Sequence, residues 1–283
     1  MPEGHTIHRV ARTQSSMLVG KFLHVTSPQG RFQTGAQTLD GKRLHAIEAC
    51  GKHLFYQFDG GEAGPVLHVH LGLFGKYRVH KRNDDEVPDV RGATRVRFVT
   101  PDHVVDLNGP NQCEVIEAHV QQAIIDRLGP DPLREDADPN RAWNRISNSR
   151  TGIGRLIMDQ SVIAGIGNIY RTELLFRAGL SPDVPGRAIS RPVFNRLWRD
   201  AVRLLNLGVK YNRIITVPLG RIGTPPGRLH QDEQTLIFGK TRCPACGSAI
   251  TRFEIAKRQA FRCDICQPVE SIRDQPESKV AVD

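Results

Sequence analysis

CPACGSAITRFEIAKRQAFRCDIC, running from Cys243 to Cys266, is the stretch around which the rest of the chain is ordered. Its two Cys-x-x-Cys pairs, Cys243/Cys246 and Cys263/Cys266, stand 16 residues apart, inside the spacing of a four-thiolate zinc ribbon. Each pair turns two sulfurs toward one tetrahedral ion. Four thiolates leave no open position for water, so a single zinc would hold structure and do no chemistry. A pair of redox dithiols is the other reading of the same letters. Arg252, Lys257, Arg258 and Arg262 place cations on the intervening segment, as a finger that meets a polyanion would.

Upstream, Val217 to His230 is rich in Gly, Pro and Arg, which predicts a mobile basic loop. Before it the apolar spacing is helical. Ser190 can cap a helix with Pro192 in its first turn, with Val193, Leu197, Ala201 and Leu204 on one face and Gly208 at its end. A second helix is expected from about Gly167 to Ala178, stopped by Gly179 with Pro182 beyond. In front of it, Gly165-Ile-Gly167-Asn168 sets two glycines before a helix start. Backbone N–H groups there can bind phosphate, with Asn168 as an added donor, or the glycines can simply allow a tight turn between helices.

Leu128 to Pro139 (LGPDPLREDADP) breaks regular structure and reads as a connection between domains. On its N-terminal side short apolar runs alternate with turn residues, as in all-β domains: Phe22 to Val25, Leu54 to Phe58, Val66 to Leu71, Val96 to Thr100 and Val104 to Leu107. Only Ile7, Val10 and Ala11 have helical spacing. Beyond the finger, Gln267 to Asp283 is polar and without period, which predicts a disordered tail.

The 283 residues carry a net charge of +9, with 39% hydrophobic and 24% charged residues. This is the composition of an ordinary globular chain whose basic balance suits a nucleic-acid partner. No apolar run is long enough for a membrane span and the start is not a secretory signal, so a cytoplasmic location is expected. Cys50 and Cys113 stand alone and read as buried thiols. At the start, Met1-Pro2-Glu3-Gly4 would expose a secondary α-amine on loss of Met1. Such amines titrate near ~8 and are nucleophiles at neutral pH, with Glu3 beside it to move protons. Met-Pro-Glu also begins unrelated chains, so these letters alone leave the role open.

Pro2-Glu3-Gly4, Gly51-Lys52-His53-Leu54, His70-Leu-Gly-Leu73-Phe74-Gly75, Gly165-Ile-Gly-Asn168 and the four-cysteine finger occur in one order. In that order and spacing the chain resembles the formamidopyrimidine-DNA glycosylase and endonuclease VIII family along nearly its whole length. The resemblance implies an α+β multidomain fold: a catalytic N-terminal β-sandwich (1–130), a helix-two-turn-helix domain (138–232), a zinc-ribbon finger (233–267) and the tail (268–283). It implies a bifunctional DNA glycosylase and AP lyase of base excision repair, acting as a monomer on double-stranded DNA with oxidised bases or abasic sites. Pro2 would form the Schiff base, Glu3 would be its acid–base partner, and Lys52 would reach a phosphate near the lesion. Asn168, Arg171 and Arg258 would grip the DNA backbone. Leu73 and Phe74 would fill the gap left by the extruded base, a buried hairpin being the alternative for that loop.

Two departures bear on substrate. His5-Thr6 stands where many members carry a second glutamate, and Asn108 to Cys113 (NGPNQC) lacks the arginine-containing pattern of the oxidised-purine branch. The first removes or replaces an accessory carboxylate contact near the nucleophile; the second, together with Pro2-Glu3-Gly4, places the chain nearer the endonuclease VIII branch, which implies oxidised pyrimidines as substrate and β,δ-elimination. A catalytically inactive member that only binds damaged DNA is the rival reading.

Overall fold

The computed structural model describes residues 2–60, 64–82, 87–219 and 224–269. The chain divides into two compact units, Met1–Arg127 and Leu128–Asp283, each taken in turn.

The first unit opens with α1 (Gly4–Leu18), followed by β1 (His24–Thr26), α2 (Gln33–Leu39), β2 (Leu44–Cys50), β3 (His53–Phe58), β4 (Val66–His70), β5 (Lys76–Lys81), β6 (Thr94–Val99), β7 (His103–Asn108), β8 (Gln112–Ile116) and α3 (Ala118–Arg127). The strands form two four-stranded antiparallel sheets, ordered β1-β6-β7-β5 and β2-β3-β4-β8. Alternate residues of both, Leu54, Tyr56, Phe58, Leu67 and Val69 from one and Val96, Phe98, Val105 and Leu107 from the other, meet in a single core. Period-2 patterning thus makes a β-sandwich. Ile7, Ala11 and Leu18 of α1 enter the same core. Hydrogen bonds from Gly20 N to Leu44 O (2.8 Å) and Leu44 N to Lys21 O (2.9 Å) tie the end of that helix to the start of β2.

Inside the sandwich the Tyr56 hydroxyl lies 2.7 Å from Gln14 Oε1 and 2.8 Å from the Tyr77 hydroxyl. Tyr56 has one proton to donate, so giving it to Gln14 means accepting that of Tyr77. The chain of three joins α1 to both sheets. Burial raises both phenol pKa values, so neither ionises at working pH.

Helices α2 and α3 interrupt what the apolar runs suggest is an all-β stretch. Only Ala36 and Leu39 of α2, and Gln121 and Ile124 of α3, are buried, too few to show a helical period. Phe22, expected in a strand, makes one isolated bridge to Arg43 and is 70% exposed.

The second unit contains α4 (Pro139–Ser147), the short α5 (Ile153–Leu156), α6 (Asn168–Arg177), α7 (Arg191–Tyr211) and the hairpin β9 (Thr251–Ile255) and β10 (Arg258–Arg262). Phe194, Leu197, Ala201, Leu204 and Leu205 of α7 pack with Tyr170, Leu174 and Leu175 of α6 in one core. Helix α7 does not stop at Gly208, which is buried within it. It ends at Asn212, in the left-handed region at φ 56°. Asparagine tolerates that conformation, so the packed face continues past the glycine and the cap falls where the face ends.

Leu128 to Asp131 is not a free connection. Its residues are buried, Gly129 N donates to Gln160 O at 2.9 Å, and Ala164 N donates to Pro130 O at 3.1 Å. Gln267 is likewise packed: Nε2 donates to Leu180 O at 2.7 Å and Oε1 accepts from Cys263 N at 3.0 Å. The expected tail from residue 270 onward, and residues 220–223 of the expected basic loop, lie outside the described residues. No helix among the described residues is long and apolar enough to cross a membrane.

Ala256 and Lys257 turn the β9–β10 hairpin with φ of 50° and 60°. A two-residue turn with both φ positive is the kind that selects Asn-Gly, and it disfavours Ala-Lys. Lys257→Gly is therefore expected to stabilise the second unit by about 1 kcal/mol in urea denaturation; a loss of stability would show that the lysine side chain supplies a compensating contact.

Candidate functional site

In the first unit, the chain start sits at the N-terminus of α1. Pro2 is half-buried and Glu3 is fully buried. Glu3 holds an extended backbone (φ −121°) and its carbonyl accepts Thr6 N at 2.9 Å, so its side chain is not used as a helix cap. Beside it the buried His5 has its pKa pushed down to about 4, first by desolvation and then by the positive chain terminus. The imidazole next to Glu3 is therefore neutral at neutral pH.

Lys52 is half-buried in the turn Gly51–Lys52 that joins β2 to β3, where Cys50 pairs with His53 and Gly51 takes φ +58°. Three histidines surround this turn. His53 is lowered to about 3 by burial, then by His68, His70, Arg127 and Lys52, and His70 is lowered by burial and by Lys52. Burial also lowers His68, against the raising effect of Glu114. The rings are thus neutral, and the lysine brings the positive charge to the turn.

Leu73 and Phe74 are 43% and 83% exposed, so this loop is not a buried hairpin. Asn111 N donates to His70 O at 2.9 Å and Gly75 N to Leu71 O at 3.0 Å. At Gly72 (φ +65°) a Cβ would come within 2.7 Å of Asn111 Cβ, so only glycine lets the two loops close. Asn108 is buried, its Nδ2 donating to Thr94 Oγ1 at 2.8 Å and Arg91 O at 3.3 Å. That leaves Gly109 and Asn111 as the exposed members of the segment Asn108 to Cys113.

In the second unit the turn before α6 is tied by Gln160. Its Nε2 donates to Met158 O and Ile166 O, both at 2.9 Å, and its Oε1 accepts Gly165 N at 3.0 Å. Gly165 has φ +87°, a conformation glycine adopts without strain. No local pattern marks Gln160 for this role; it stands five residues before Gly165.

Asn168 begins α6 and is 6% exposed. Its Nδ2 donates to Gln259 O at 2.9 Å and its Oδ1 accepts from Arg171 Nη2. Arg171, 1% exposed, also lies 3.4 Å from Gln259 O. Arg171 thus has a different place from the one expected of a backbone-gripping cation: shut off from solvent, it holds Asn168 and the hairpin. Arg258, the residue before Gln259, is exposed. Arg262 is paired with Asp183 and Asp264, so it is not among the hairpin's available cations.

Five residues after Asn168, the fully buried Glu173 accepts four hydrogen bonds. These come from Leu236 N (2.7 Å), Ile237 N (2.9 Å), Phe238 N (2.7 Å) and Thr216 Oγ1 (2.5 Å). They fix the chain that enters the finger.

The four cysteine sulfurs lie within 4.8 Å of one another. Cys243–Cys266 and Cys246–Cys263 are 3.7 and 3.5 Å apart, far beyond the ~2.05 Å of a disulfide. They are close to the ~3.8 Å edge of a tetrahedron with ~2.3 Å metal–sulfur bonds. Hydrogen bonding by Ser248 pulls the Cys246 thiol down to about 6, while burial pushes the Cys243 and Cys266 thiols up. The donor set fits one metal ion. Cys50 and Cys113 belong to the first unit, and burial pushes the Cys113 thiol up to about 12.

Residues 1–113 match the formamidopyrimidine-DNA glycosylase N-terminal domain, and residues 128–218 match the formamidopyrimidine-DNA glycosylase H2TH domain. Endonuclease 8 1 of Mycobacterium tuberculosis is 43% identical over 270 residues, spanning 94% of this chain and 100% of that one. The chain belongs to the formamidopyrimidine-DNA glycosylase and endonuclease VIII family. Identity is lower to a formamidopyrimidine-DNA glycosylase of Thermomicrobium roseum, 28% over 301 residues with 95% and 100% of the two chains covered. Among solved structures, Lactococcus lactis Fpg in complex with DNA containing N7-benzyl-Fapy-dG has a TM-score of 0.77 at 21% identity, over 94% of this chain and 100% of that chain. This family of DNA glycosylases thus supplies the fold: β-sandwich, helix-two-turn-helix domain and four-cysteine finger.

Removing the buried carboxylate would strand three backbone N–H groups, each costing about 1–3 kcal/mol when left unpaired. Glu173→Ala should therefore lower stability by about 3 kcal/mol or more in urea denaturation; a loss under about 1 kcal/mol would mean water or another group replaces the carboxylate.

Proposed function

We infer that the chain is a bifunctional DNA glycosylase and AP lyase that excises oxidised pyrimidines from duplex DNA, with the Pro2 amine as nucleophile. The observation that carries this is the setting of Pro2 and Glu3. They head a 15-residue helix whose other end is tied to the start of the 7-residue strand β2. The helix is about 22 Å long at 1.5 Å per residue, and the strand about 23 Å. Packed along the strand, the helix would bring the amine to the strand's far end, where Lys52 stands. Greater identity to an endonuclease 8 than to the formamidopyrimidine-DNA glycosylase of Thermomicrobium roseum supports oxidised pyrimidines as substrate.

Loss of Met1 frees the Pro2 nitrogen, whose lone pair attacks C1′ of the flipped nucleotide. The C1′–base bond breaks as the base takes a proton from Glu3; Glu3 recovers one from the now cationic Pro2 nitrogen and passes it to O4′, whose bond to C1′ opens to leave a C1′=N iminium. The resulting iminium acidifies C2′. Loss of a C2′ proton expels the 3′-phosphate by β-elimination; a second, δ-elimination expels the 5′-phosphate and leaves a one-nucleotide gap. Lys52 neutralises a phosphate beside the lesion. Leu73 and Phe74 fill the vacated stack, offsetting an unstacking cost of a few kcal/mol. Arg258 binds backbone phosphate directly, and Asn168 and the α6 N-terminus bind the neighbouring one. Arg171 acts through Asn168. Zinc is the metal four thiolates select most readily, and it stabilises the finger as a closed site.

Borohydride reduction of the protein with abasic-site duplex should trap a covalent adduct that is lost when Met1 is retained. Tight duplex binding with no adduct would instead mark a member of the fold that binds damage without cleaving it.

A further inference from the structure

His53, His68 and Glu114 form a hydrogen-bonded line across three neighbouring strands. His53 Nδ1 lies 2.9 Å from His68 Nε2, and His68 Nδ1 lies 3.3 Å from Glu114 Oε1. The pairings Phe55 with His68 and His68 with Glu114 set β3, β4 and β8 side by side at this point. His68 is 1% exposed; its ring stacks on Phe55 (4.9 Å, 18°) and meets His53 end to end and nearly coplanar (5.1 Å, 21°). Glu114 is held in turn by Gln112 Nε2 at 2.5 Å. Of the three, only His53 belongs to a motif with local spacing, Gly51-Lys52-His53-Leu54.

Proton counting allows one arrangement for neutral rings. An ionised Glu114 can only accept, so His68 carries its proton on Nδ1 and leaves a lone pair on Nε2. His53 must then donate from Nδ1, which leaves its own Nε2 with a lone pair. Burial lowers both ring pKa values and keeps the line in this state across the neutral range. His53 directly follows Lys52, and the lysine's charge reaches it. A ring with one tautomer and one orientation therefore adjoins the lysine turn.

The geometry points to Glu114–His68–His53 as a positioning relay for Lys52, fixing the turn so that the ammonium meets its phosphate in the reacting complex. Orientation of a catalytic group by a carboxylate–imidazole line is a general device. His53 and its supports are positioning residues. This inference rests on the role assigned to Lys52 above.

The test is a double-mutant cycle on the full chain, read as single-turnover cleavage of an abasic-site duplex alongside the duplex dissociation constant. His68→Phe keeps the stacking ring and removes both nitrogens. It should slow cleavage about tenfold with duplex affinity unchanged, and should slow it no further once Lys52→Ala is present. His68→Gln, which offers a donor and an acceptor, should recover most of the rate. If His68→Phe fails to fold, as thermal melting would reveal, Glu114→Ala at a half-exposed side chain takes its place in the cycle. Additive effects of the two substitutions, or a rate within about twofold of wild type while Lys52→Ala is slow, would overturn the relay and leave the lysine's role standing. Wild-type cleavage by Lys52→Ala itself would remove the lysine's role, and the relay with it.

Discussion

The carboxylate of Glu173 is the constraint on which the second unit depends. A buried carboxylate is costly unless its oxygens are fully engaged, and here three consecutive backbone N–H groups and the Thr216 hydroxyl engage both. The entry to the finger is thereby locked to the middle of α6. One end of the same helix holds the hairpin through Asn168 and Arg171. The other holds α7 through the ion pair of Arg177 with Asp200 at 2.9 Å. A single ten-residue helix thus sets the finger, the glycine turn and the long helix relative to one another.

The first unit has its own lock in Gln14, Tyr56 and Tyr77. Two sheets and a helix meet there in polar contact within an apolar core, which specifies one register among several that hydrophobic packing alone would tolerate. The chain start and the lysine turn both hang from elements joined at this point. A structural rationale follows for carrying the nucleophile on a helix: the terminus, ordinarily the most mobile part of a chain, is held at the head of a helix built into the core.

Features written in local spacing were legible in the sequence. The four cysteines, the glycine turn before α6 and the alternating strands each follow from a period or an interval that one segment contains. Long-range pairings were not. Glu173 reads as an ordinary helical glutamate because its partners lie between 43 and 65 residues away. For Arg171, expected to bind DNA, nothing nearby in the sequence shows that Gln259 and Asn168 close over it. Helix α7 ran past Gly208 because a packed face outweighs one glycine, and the Ala256–Lys257 turn carries none of the residues that usually announce it. The histidine line escaped notice because its members sit on three strands and meet only once the sheet forms.

The central claim is that the chain's own amine, and no lysine, bonds to the sugar. Tandem mass spectrometry of the borohydride-reduced adduct with abasic-site DNA tests it most directly. The account predicts the residual sugar mass on the peptide beginning at Pro2, attached at its α-nitrogen. Its appearance on Lys52, with the N-terminal peptide unmodified, would contradict the account.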